Sequence, residues 1–520
     1  MSTNIILHYS KNSEYSAESW LRTIKSVFEQ TVQNFCLTII SDTDTSEINE
    51  QINHLNSGKK EVVVVAVESE QQSAQLAKAV ALEPSDFHLY IDNRTQEVVL
   101  KKSALELCVL AMKNNSKAGL IYADYEIAKE DEVKEIRLLK HHVGRVRDNQ
   151  DYGKVFFIRN EALLNTGGIS TKIKFNALYD LRLKIATKYE LVHIANRYAG
   201  SLYQVVAESK AHNVFDYLLA SKDSQLEAEE ILSDHLKQIG AYLEPGSHYS
   251  NRPEPDSAAT LKASVIIPVN SRPEFICDAI ESVQAQTIKE VEVIVVVNGG
   301  ENDPTVASVK EYIKGGKKYD AEKPEVRLLV HDMNNLGLCF NSGAEIARGE
   351  YYVQLDSDDR LIPDAVEKIL AVYESDPKIG MVIGSYEVWE KDAAGAITRM
   401  EQIPVVTHDE WTEENGRNNL LRINGAGAPR SIPIALIKEI GFSMNEEPFA
   451  RNYGEDYQMV MKISERHRIG RVWDPIYKVV RHAGGTDHSI DQATIDRNDE
   501  AKDFMRKESI LRRIELNKKK

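Results

Sequence analysis

The two halves of the chain repeat one order of elements and, in places, the same residues. The matching segments are residues 23–31 with 279–287, 89–94 with 353–358, and 177–180 with 453–456. A chain of 520 residues is too long for one ordinary core. The repeat therefore predicts a tandem duplication of one domain.

Each half alternates short apolar runs with helical patterns. In the first half the predicted strands are Ile5–Leu7, Phe35–Ile40, Val62–Val67 and Phe87–Ile91, with helices over 19–30 and 103–113. In the second half they are Ser264–Val269, Val291–Val297 and Tyr351–Leu355, with a helix over 276–286. Apolar strands that alternate with helices are typical of α/β domains. We expect two tandem Rossmann-related α/β domains with mostly parallel central sheets.

Composition places the boundary between the halves, because residues 244–262 are rich in proline, glycine and serine, as linkers are. A basic pattern near the C-terminus predicts a helical tail. The expected division is a first domain over 1–243, a linker over 244–262, a second domain over 263–490 and a tail over 491–520.

Charge and cysteine content exclude several classes of protein. The formal net charge of -16 argues against nucleic-acid binding. No apolar run approaches the ~20 residues that span a bilayer, and the first residues lack the pattern of a signal peptide. The 4 cysteines are scattered, which fits reduced thiols. We expect a cytoplasmic protein.

Three acids, Asp356, Asp358 and Asp359, directly follow the strand over 351–355. Carboxylates gathered at a buried strand end need a neutralising cation. Oxygen ligands suit Mg²⁺ or Mn²⁺, which take further ligands from substrate phosphates, and open α/β sheets bind ligands at this edge. The alternative is a solvated acidic loop that caps the helix near Pro363.

Other residues of the second half suit binding and catalysis. The turn over 298–300 can read the edge of a base, and the small loop over 425–427 lets an acceptor approach the backbone. Glu455 and Asp456 begin a helix, whose dipole favours ionised carboxylates and so suits a general base. His482 follows a strand and is a candidate metal ligand. Taken singly, each also fits a plain turn, cap or core residue.

The two halves differ where chemistry is expected. The substituted pairs are Asp358 with Arg94, Glu455 with Tyr179, and His482 with Glu208. An arginine at the place of a metal-binding acid repels a cation and can itself fill the site. The first domain is therefore predicted to be metal-free and non-catalytic, with binding of some other ligand as the alternative.

As an ordered set, these motifs resemble the inverting family 2 glycosyltransferases of the GT-A fold. The segment over 264–270 resembles that family's opening strand and nucleotide loop, Asp356-Ser357-Asp358 its DXD motif, Gly425-Ala426-Gly427 its G-loop, Glu455-Asp456 its ED motif, and His482 its C-terminal histidine. The first half resembles the tandem-domain members that build bacterial surface polysaccharides. Asn298-Gly299-Gly300 departs from the family's frequent Asp-Asp-Gly-Ser, so the identity of the base stays open.

The resemblance implies metal-dependent, inverting transfer of a sugar from a nucleotide-diphosphate donor, with a UDP-sugar favoured, to a glycan or lipid-linked acceptor in cell-surface polysaccharide synthesis. The implied roles are general base for Asp456, orientation for Glu455, and binding of Mn²⁺ or Mg²⁺ for Asp356, Asp358 and His482. The implied donor-binding residues are Pro268, Val269, Asn270, Asn298, Asn335, Gly337, Asn341, Asp356 and Ser357. The implied acceptor-binding residues are Gly425, Ala426 and Gly427.

Two other functions stay open. A sugar nucleotidyltransferase also uses a metal-binding acid pair on a related sheet, but it does not need Asp456 as a base. A non-catalytic scaffold of a polysaccharide assembly complex fits the half that carries Arg94 better than the half with the full acid set. The tail over 491–520 either lies on the inner face of the plasma membrane or packs on the domain with a solvated basic face.

Overall fold

The structure is a computed structural model. It describes residues 2–9, 17–41, 48, 52, 55–56, 61–66, 71–129, 132–196, 200–206, 221–255, 257, 259–392, 395–408, 416–423, 427–446, 453–482 and 492–519. The backbone divides into two compact units, Met1–Gly240 and Ala241–Lys520.

The first unit alternates strands with helices. Its strands are β1 Thr3–Tyr9, β2 Phe35–Ser41, β3 Val62–Ala66, β4 Phe87–Ile91, β5 Glu97–Leu100, β6 Ala118–Ala123, β7 Tyr125–Lys129, β8 Glu132–Ile136, β9 Val155–Arg159, β10 Glu190–Ile194 and β11 Tyr203–Val206. Its helices are α1 Ala17–Phe28, α2 Gln72–Leu82, α3 Ala104–Asn114, α4 Asn160–Asn165, α5 Ala177–Ala186 and α6 Lys222–Gln238. They build a 7-stranded sheet, β10-β6-β9-β4-β1-β2-β3, and a 4-stranded sheet, β5-β11-β7-β8.

The second unit follows the same plan with longer strands. Its strands are β12 Leu261–Val269, β13 Val291–Val297, β14 Val326–Val330, β15 Gly349–Gln354, β16 Arg360–Leu361, β17 Ile379–Lys391, β18 Ile397–Arg399, β19 Arg430–Pro433 and β20 Arg468–Arg481. Its helices are α7 Ile276–Gln284, α8 Pro304–Lys310, α9 Leu336–Ile346, α10 Ala365–Ser375, α11 Gly416–Asn419, α12 Ile434–Ile440, α13 Glu455–Ser464 and α14 Gln492–Lys518. One 9-stranded sheet holds the strands in the order β14-β13-β12-β15-β19-β17-β20-β16, with β18 beside β17.

The long sheets of the two units correspond strand for strand. The order β3-β2-β1-β4-β9-β6-β10 in the first matches β14-β13-β12-β15-β19-β17-β20 in the second. In both, the fifth strand, β9 or β19, runs antiparallel to its neighbours, and the other ladders of this series are parallel. The predicted α/β class is correct, whereas the sheets are mixed, with one antiparallel strand set among parallel ones.

The apolar runs form central strands, because only strands that are buried on both faces of a sheet are apolar throughout. Every residue of β13 is buried, and β12 is buried from Ala263 to Val269. β12 pairs in parallel with β13 on one side and with β15 on the other. The carboxyl ends of these three strands therefore meet at one edge of the sheet, which is the edge that carries the predicted site residues.

Residues 244–255, predicted to belong to a linker, lie against the second unit. The backbone N–H of Ser250 donates to the carbonyl of Arg466 at 2.8 Å, and that of Arg252 donates to the carbonyl of Pro377 at 2.8 Å. This proline-rich segment is thus an extended part of the second unit's surface over the residues described.

The basic C-terminal tail is the helix α14, and two of its four arginines point inward. Arg506 and Arg513 are fully buried. Nη1 of Arg506 contacts Asp503 Oδ1 at 2.7 Å, and Nη2 of Arg513 donates to the carbonyl of Arg417 at 2.7 Å. The solvated basic face that we predicted is therefore reduced, because backbone carbonyls and an internal acid hold two of its charges. Across the described residues, no helix combines the length and apolarity needed to cross a membrane.

Candidate active site

The loops that follow β12, β13 and β15 form the floor of the candidate site. The backbone N–H of Asn298, just past β13, donates to the carbonyl of Val269 at 2.9 Å. Pro268 and Val269 are buried as the last residues of β12, and Asn270 follows them exposed to solvent. Asp356 and Ser357 follow β15 after one intervening residue, Leu355, and Ser357 is buried. The predicted donor-binding residues of these loops thus share one edge of the sheet.

The strand-end acids are tied to β20. The backbone N–H of Asp356 donates to Tyr477 Oη at 3.1 Å, and the carboxylate of Asp359 accepts the N–H of Val480 at 2.8 Å. Burial, followed by the charges of Asp356 and Asp358, raises the pKa of Asp359 well above its usual value. Asp359 is therefore a buried structural acid, and its bond to Val480 brings the end of β20, with His482, to the acid cluster.

Asp358 and His482 meet, as the sequence predicted. Asp358 Oδ2 lies 3.0 Å from His482 Nε2, although 124 residues separate them in the chain. A third group, the guanidinium of Arg272, joins them: its Nη1 lies 3.2 Å from Asp358 Oδ2 and 3.1 Å from His482 Nε2. One carboxylate oxygen and one imidazole nitrogen thus face the same positive charge.

Asp356, the third predicted metal ligand, stands apart from this pair. Its Oδ1 accepts a hydrogen bond from Gln354 Nε2 at 3.3 Å. Burial raises the pKa of the Asp356 carboxyl, and the charge of Arg430 opposes that rise. Among the described residues no three His, Cys, Asp or Glu side chains are arranged to hold a metal ion. Of the three predicted ligands, Asp358 and His482 are the two that the structure brings into contact.

That pair fits Mg²⁺ or Mn²⁺ as a partial site. An imidazole nitrogen and a carboxylate oxygen already converge on a cation, and they are ligand types that Mn²⁺ accepts. These ions usually keep several waters and take other ligands from substrate phosphates, so they do not need a complete cage of protein side chains. The fit requires that Arg272 leaves the position it holds here.

On the side of the predicted base, Asp456 is paired with Arg430. Arg430 Nη2 lies 3.0 Å from Asp456 Oδ2, and the other oxygen of Asp456 accepts its neighbour's N–H, from Tyr457, at 2.6 Å. Nε of Arg430 donates to Gln354 Oε1 at 3.1 Å. Burial lowers the pKa of Arg430, but the charges of Asp456 and Asp356 outweigh it and leave that pKa raised. This guanidinium therefore stays charged and fixes the carboxylate of Asp456.

Glu455, the other acid of the predicted pair, has a different environment. It is buried, and its Oε2 has no hydrogen-bond partner among the described residues. Burial and then the charge of Asp456 raise the pKa of Glu455 to about 7. The two adjacent acids at the start of α13 thus differ in environment: Asp456 is paired with an arginine, whereas Glu455 has a raised pKa.

The predicted donor-binding residues of α9 are used for packing. Asn335 caps α9, with Oδ1 accepting the N–H of Leu338 at 2.9 Å. The amide of Asn341 makes two bonds of 2.9 Å to the backbone of Phe442. A side chain at Gly337 would collide with the carbonyl of Ser443. These three residues hold α9 against the segment over 442–444, and their contacts leave little free for a ligand.

Asn298 is different from those three residues. It is buried, its Nδ2 donates to Asn334 Oδ1 at 3.3 Å, and its Oδ1 lacks a hydrogen-bond partner among the described residues. A buried amide oxygen without a strong donor is costly unless a ligand or water supplies one. Asn298 is therefore the best placed of the predicted residues to read a base.

Of the predicted acceptor loop, Gly425 and Ala426 lie outside the described residues. Gly427 is described and has φ 71°, a conformation that favours glycine. Its carbonyl accepts a hydrogen bond from Nη1 of Arg430. The arginine that fixes Asp456 therefore also holds the end of the small-residue loop.

Sequence reasoning missed Arg272 and Arg430. Arg272 lies two residues after the predicted nucleotide loop, and Arg430 opens β19. A half-buried arginine needs an acidic or carbonyl partner, but the acids that pair with these two come from other elements of the fold.

The first unit shows what fills the corresponding place there. Arg94 contacts Asp92 with two bonds, Nε to Oδ1 at 2.8 Å and Nη2 to Oδ2 at 3.1 Å. Burial raises the pKa of Asp92, but Arg94 outweighs it and leaves that pKa lowered. The strand-end acid of the first unit is thus neutralised by its own neighbour in the chain.

Comparisons with known proteins identify the family that part of the second unit matches. Residues 264–419 match the family described as Glycosyl transferase family 2. The second unit carries a family 2 glycosyltransferase domain. The resemblance drawn from its motifs is thereby confirmed, as is the assignment to the transferases. The matched segment contains most of β12, the strands β13 to β18 and both acids of the DXD motif.

Relatives cover parts of the chain. Chondroitin synthase of Escherichia coli is 32% identical over 139 residues, which are 26% of this chain and 19% of that protein. Hyaluronan synthase of Pasteurella multocida is 30% identical over 119 residues, 23% of this chain and 11% of that protein. The chain therefore spans about a fifth or less of these relatives. The crystal structure of S. aureus TarS 1-349 in complex with UDP-GlcNAc is 20% identical, with a TM-score of 0.32 over 44% of this chain and 62% of that one.

Proposed function

We propose that this protein is a metal-dependent inverting glycosyltransferase of the GT-A type, which moves a sugar from a nucleotide-diphosphate donor, a UDP-sugar by preference, to a hydroxyl of a glycan or lipid-linked acceptor. The family 2 domain and two relatives that are synthases of polysaccharides by name support a role in cell-surface polysaccharide synthesis. A cytoplasmic enzyme that meets lipid-linked acceptors at the membrane fits this role.

One observation carries the proposal: a continuous chain of contacts joins the predicted base to the loop that carries the acids. Asp456 contacts Arg430, Arg430 donates to Gln354, and Gln354 donates to Asp356. A glycosyltransferase needs a base for the acceptor hydroxyl and a cation for the departing diphosphate at a fixed spacing. Arg430 and Gln354 connect the base to Asp356, which lies two residues before Asp358 in the same loop.

On the donor side, Asp358 and His482 would hold Mn²⁺ or Mg²⁺. The ion, when bound, supplies positive charge against the charge that develops on the departing nucleotide diphosphate. Asn298 offers its free amide oxygen to a donor N–H of the base. Asp359 and Tyr477 keep the acid loop and the end of β20 in register.

On the acceptor side, Asp456 takes the proton of the attacking hydroxyl. Each oxygen of an ionised carboxylate can accept more than one hydrogen bond. The contacts with Arg430 and Tyr457 therefore leave room for the hydroxyl. Attack from the face opposite the leaving group inverts the anomeric configuration. Glu455 would orient the acceptor through its unpartnered oxygen.

We further propose that the first unit is a degenerate copy that does not catalyse. The shared strand order supports duplication, and the Arg94–Asp92 pair supports the loss of metal binding. In this division 1–243 is the non-catalytic domain, 244–262 joins the two, 263–490 is catalytic and 491–520 is the C-terminal helix. Any membrane contact of that helix would use residues other than the buried Arg506 and Arg513.

The decisive experiment measures thermal shift and sugar transfer with UDP-, GDP- and dTDP-sugars, each with and without Mn²⁺. We expect stabilisation by one nucleotide class, stronger with Mn²⁺, and transfer to a glycan acceptor with that class alone. No shift and no transfer with any donor would refute the proposal.

A further inference from the structure

We propose that Arg272 is a displaceable counter-ion that holds the cation position between Asp358 and His482 and yields it when metal and donor bind together. This inference deepens the proposed function and rests on it. It concerns a residue outside the motifs that define the site, and it makes metal affinity depend on the presence of donor.

The geometry around Arg272 fixes which groups face it. Nη1 lies 3.2 Å from Asp358 Oδ2 and 3.1 Å from His482 Nε2, and these two atoms lie 3.0 Å apart. The three side chains retain only 21%, 25% and 10% exposure. A positive charge thus sits between the two predicted ligands in a mostly enclosed place.

The hydrogen-bonding capacity of the three groups decides their roles. A guanidinium has donors and no acceptor, so it can bond to His482 Nε2 only if that nitrogen presents a lone pair. With a proton on Nε2, His482 instead donates to Asp358 Oδ2, which lies 3.0 Å away. In both tautomers the carboxylate oxygen accepts from Arg272, and a metal ion requires the unprotonated nitrogen as well. Arg272 therefore holds the position of a cation beside these two side chains.

The backbone at Arg272 is held by two hydrogen bonds, whereas its guanidinium is held through one nitrogen. The N–H of Arg272 donates to Thr305 Oγ1 at 2.9 Å, and that of Ser271 donates to Asp303 Oδ2 at 2.8 Å. The hydrogen bonds of the guanidinium to described residues all involve Nη1. The central carbon of the guanidinium, Cζ, lies 5.8 Å from the ring centre of Phe275. Arg94 of the first unit grips its acid with two nitrogens instead. The side chain of Arg272 can therefore rotate away from Asp358 and His482 by breaking the contacts of a single nitrogen, Nη1.

The exchange follows from charge. A divalent ion and a guanidinium repel each other at the distances that these ligands impose. In the donor-free protein the metal must displace Arg272 and gains only two protein ligands. A nucleotide diphosphate supplies further oxygen ligands and also takes up the released guanidinium, because arginine binds phosphate oxygens well. Removing Arg272 should therefore strengthen metal binding without donor and weaken donor binding.

The test titrates Mn²⁺ into the full-length protein, with the free ion followed by electron paramagnetic resonance, in the absence and presence of UDP. Relative to wild type, Arg272→Met should bind Mn²⁺ about tenfold more tightly without UDP. In saturating Mn²⁺ the same variant should bind UDP about tenfold more weakly. Arg272→Lys, which keeps a charge but loses the fork, should lie between the two, and it serves if the methionine variant does not fold.

Arg360→Met is the matched control. Arg360 is also half-buried and lies two residues from Asp358, but it pairs with Asp278. It should change both affinities by less than about twofold, which separates displacement from a general change of charge. Donor-free Mn²⁺ binding that is unchanged or weaker in both Arg272 variants would overturn the inference. If wild type binds no Mn²⁺ even with UDP, the metal-dependent function itself fails.

Discussion

The two units build the same sheet and neutralise the same strand end in different ways. In the first, Arg94 lies two residues after Asp92 and binds it with two nitrogens. In the second, Asp358 stands in the place of Arg94, and the counter-charge comes from Arg272, 86 residues away. A pair closed within one loop is a permanent part of the fold. A counter-ion borrowed from another loop can be exchanged.

The difference shows how two units can share a sheet and differ in the polar groups at its strand ends. Strand order and direction are set by apolar residues inside the sheet, which both units retain. The ends of the strands carry the polar groups, and changing them there leaves the core intact. Each substitution below lies at or near such a strand end. It compares either the two units or two side chains of the second unit.

The largest effect is expected from the acid that the units do not share. Asp358→Ala should reduce Mn²⁺-dependent sugar transfer to background, because the pair with His482 is lost and charge on the leaving group is no longer stabilised. Arg94→Ala should leave the transfer rate within about twofold, since Arg94 lies in the unit that we propose to be non-catalytic. It should lower the melting temperature, because Asp92 becomes a buried charge without a partner. Equal loss of transfer in both variants would refute the division of labour.

The next effect concerns an acid that both units keep. Asp456→Asn should lower kcat about 10³-fold, within the range for loss of a general base, while the Kd for donor changes little. Asp180→Asn is its counterpart in the first unit, where Asp180 pairs with Lys184 at 2.6 Å. Transfer kinetics and calorimetric donor binding on both variants make the check. Normal turnover in Asp456→Asn would show that the base is another residue.

A smaller loss of kcat is expected when Arg430 is replaced by lysine, which keeps the positive charge but not the planar guanidinium. Arg430 uses three nitrogens for three partners, Gln354, Asp456 and the carbonyl of Gly427. Lysine offers one nitrogen, so Arg430→Lys should release part of this network and lower kcat about 10-fold to 100-fold. Arg399→Lys, at an exposed pair with Glu401, should leave kcat unchanged. A normal kcat in Arg430→Lys would mean that the link between base and acid cluster is not needed.

The sequence predicted what depends on local pattern. Apolar runs gave β4 and β13 with the observed bounds, and the order of motifs gave the contact between Asp358 and His482. It did not predict that Asn335 and Asn341 hold backbone, because an amide before a helix looks the same whether it binds a ligand or caps the chain.

Charges were the other source of error. Lysine and arginine in α14 suggested a solvated face, yet Arg506 and Arg513 are buried. Their partners are a nearby acid and carbonyls of a distant loop, and no local pattern reveals such partners. The same holds for Arg272 and Arg430, whose acids come from other elements.

The smallest expected effect is on the pH dependence of stability, and it distinguishes the two acids of α13, Glu455 and Asp456. The pKa of Glu455 is raised from 4.5 to about 7, mainly by burial and then by Asp456, with Arg430 and Lys502 opposing. The folded protein thus binds this proton more tightly than the unfolded chain does. The resulting stability is full below pH 4.5 and is lost as pH rises to about 7.

Glu455→Gln removes that titration, so the variant should lose less stability than wild type between pH 5 and pH 7, by about 2 kcal/mol at most. Melting temperatures across this range give the measurement. Glu367→Gln, at an exposed acid that accepts a bond from Thr287, should keep the slope of the wild type. The same slope in Glu455→Gln would mean that Glu455 is ionised in the folded protein. Both acids of the pair would then be charged beside Arg430, and the contrast between them would disappear.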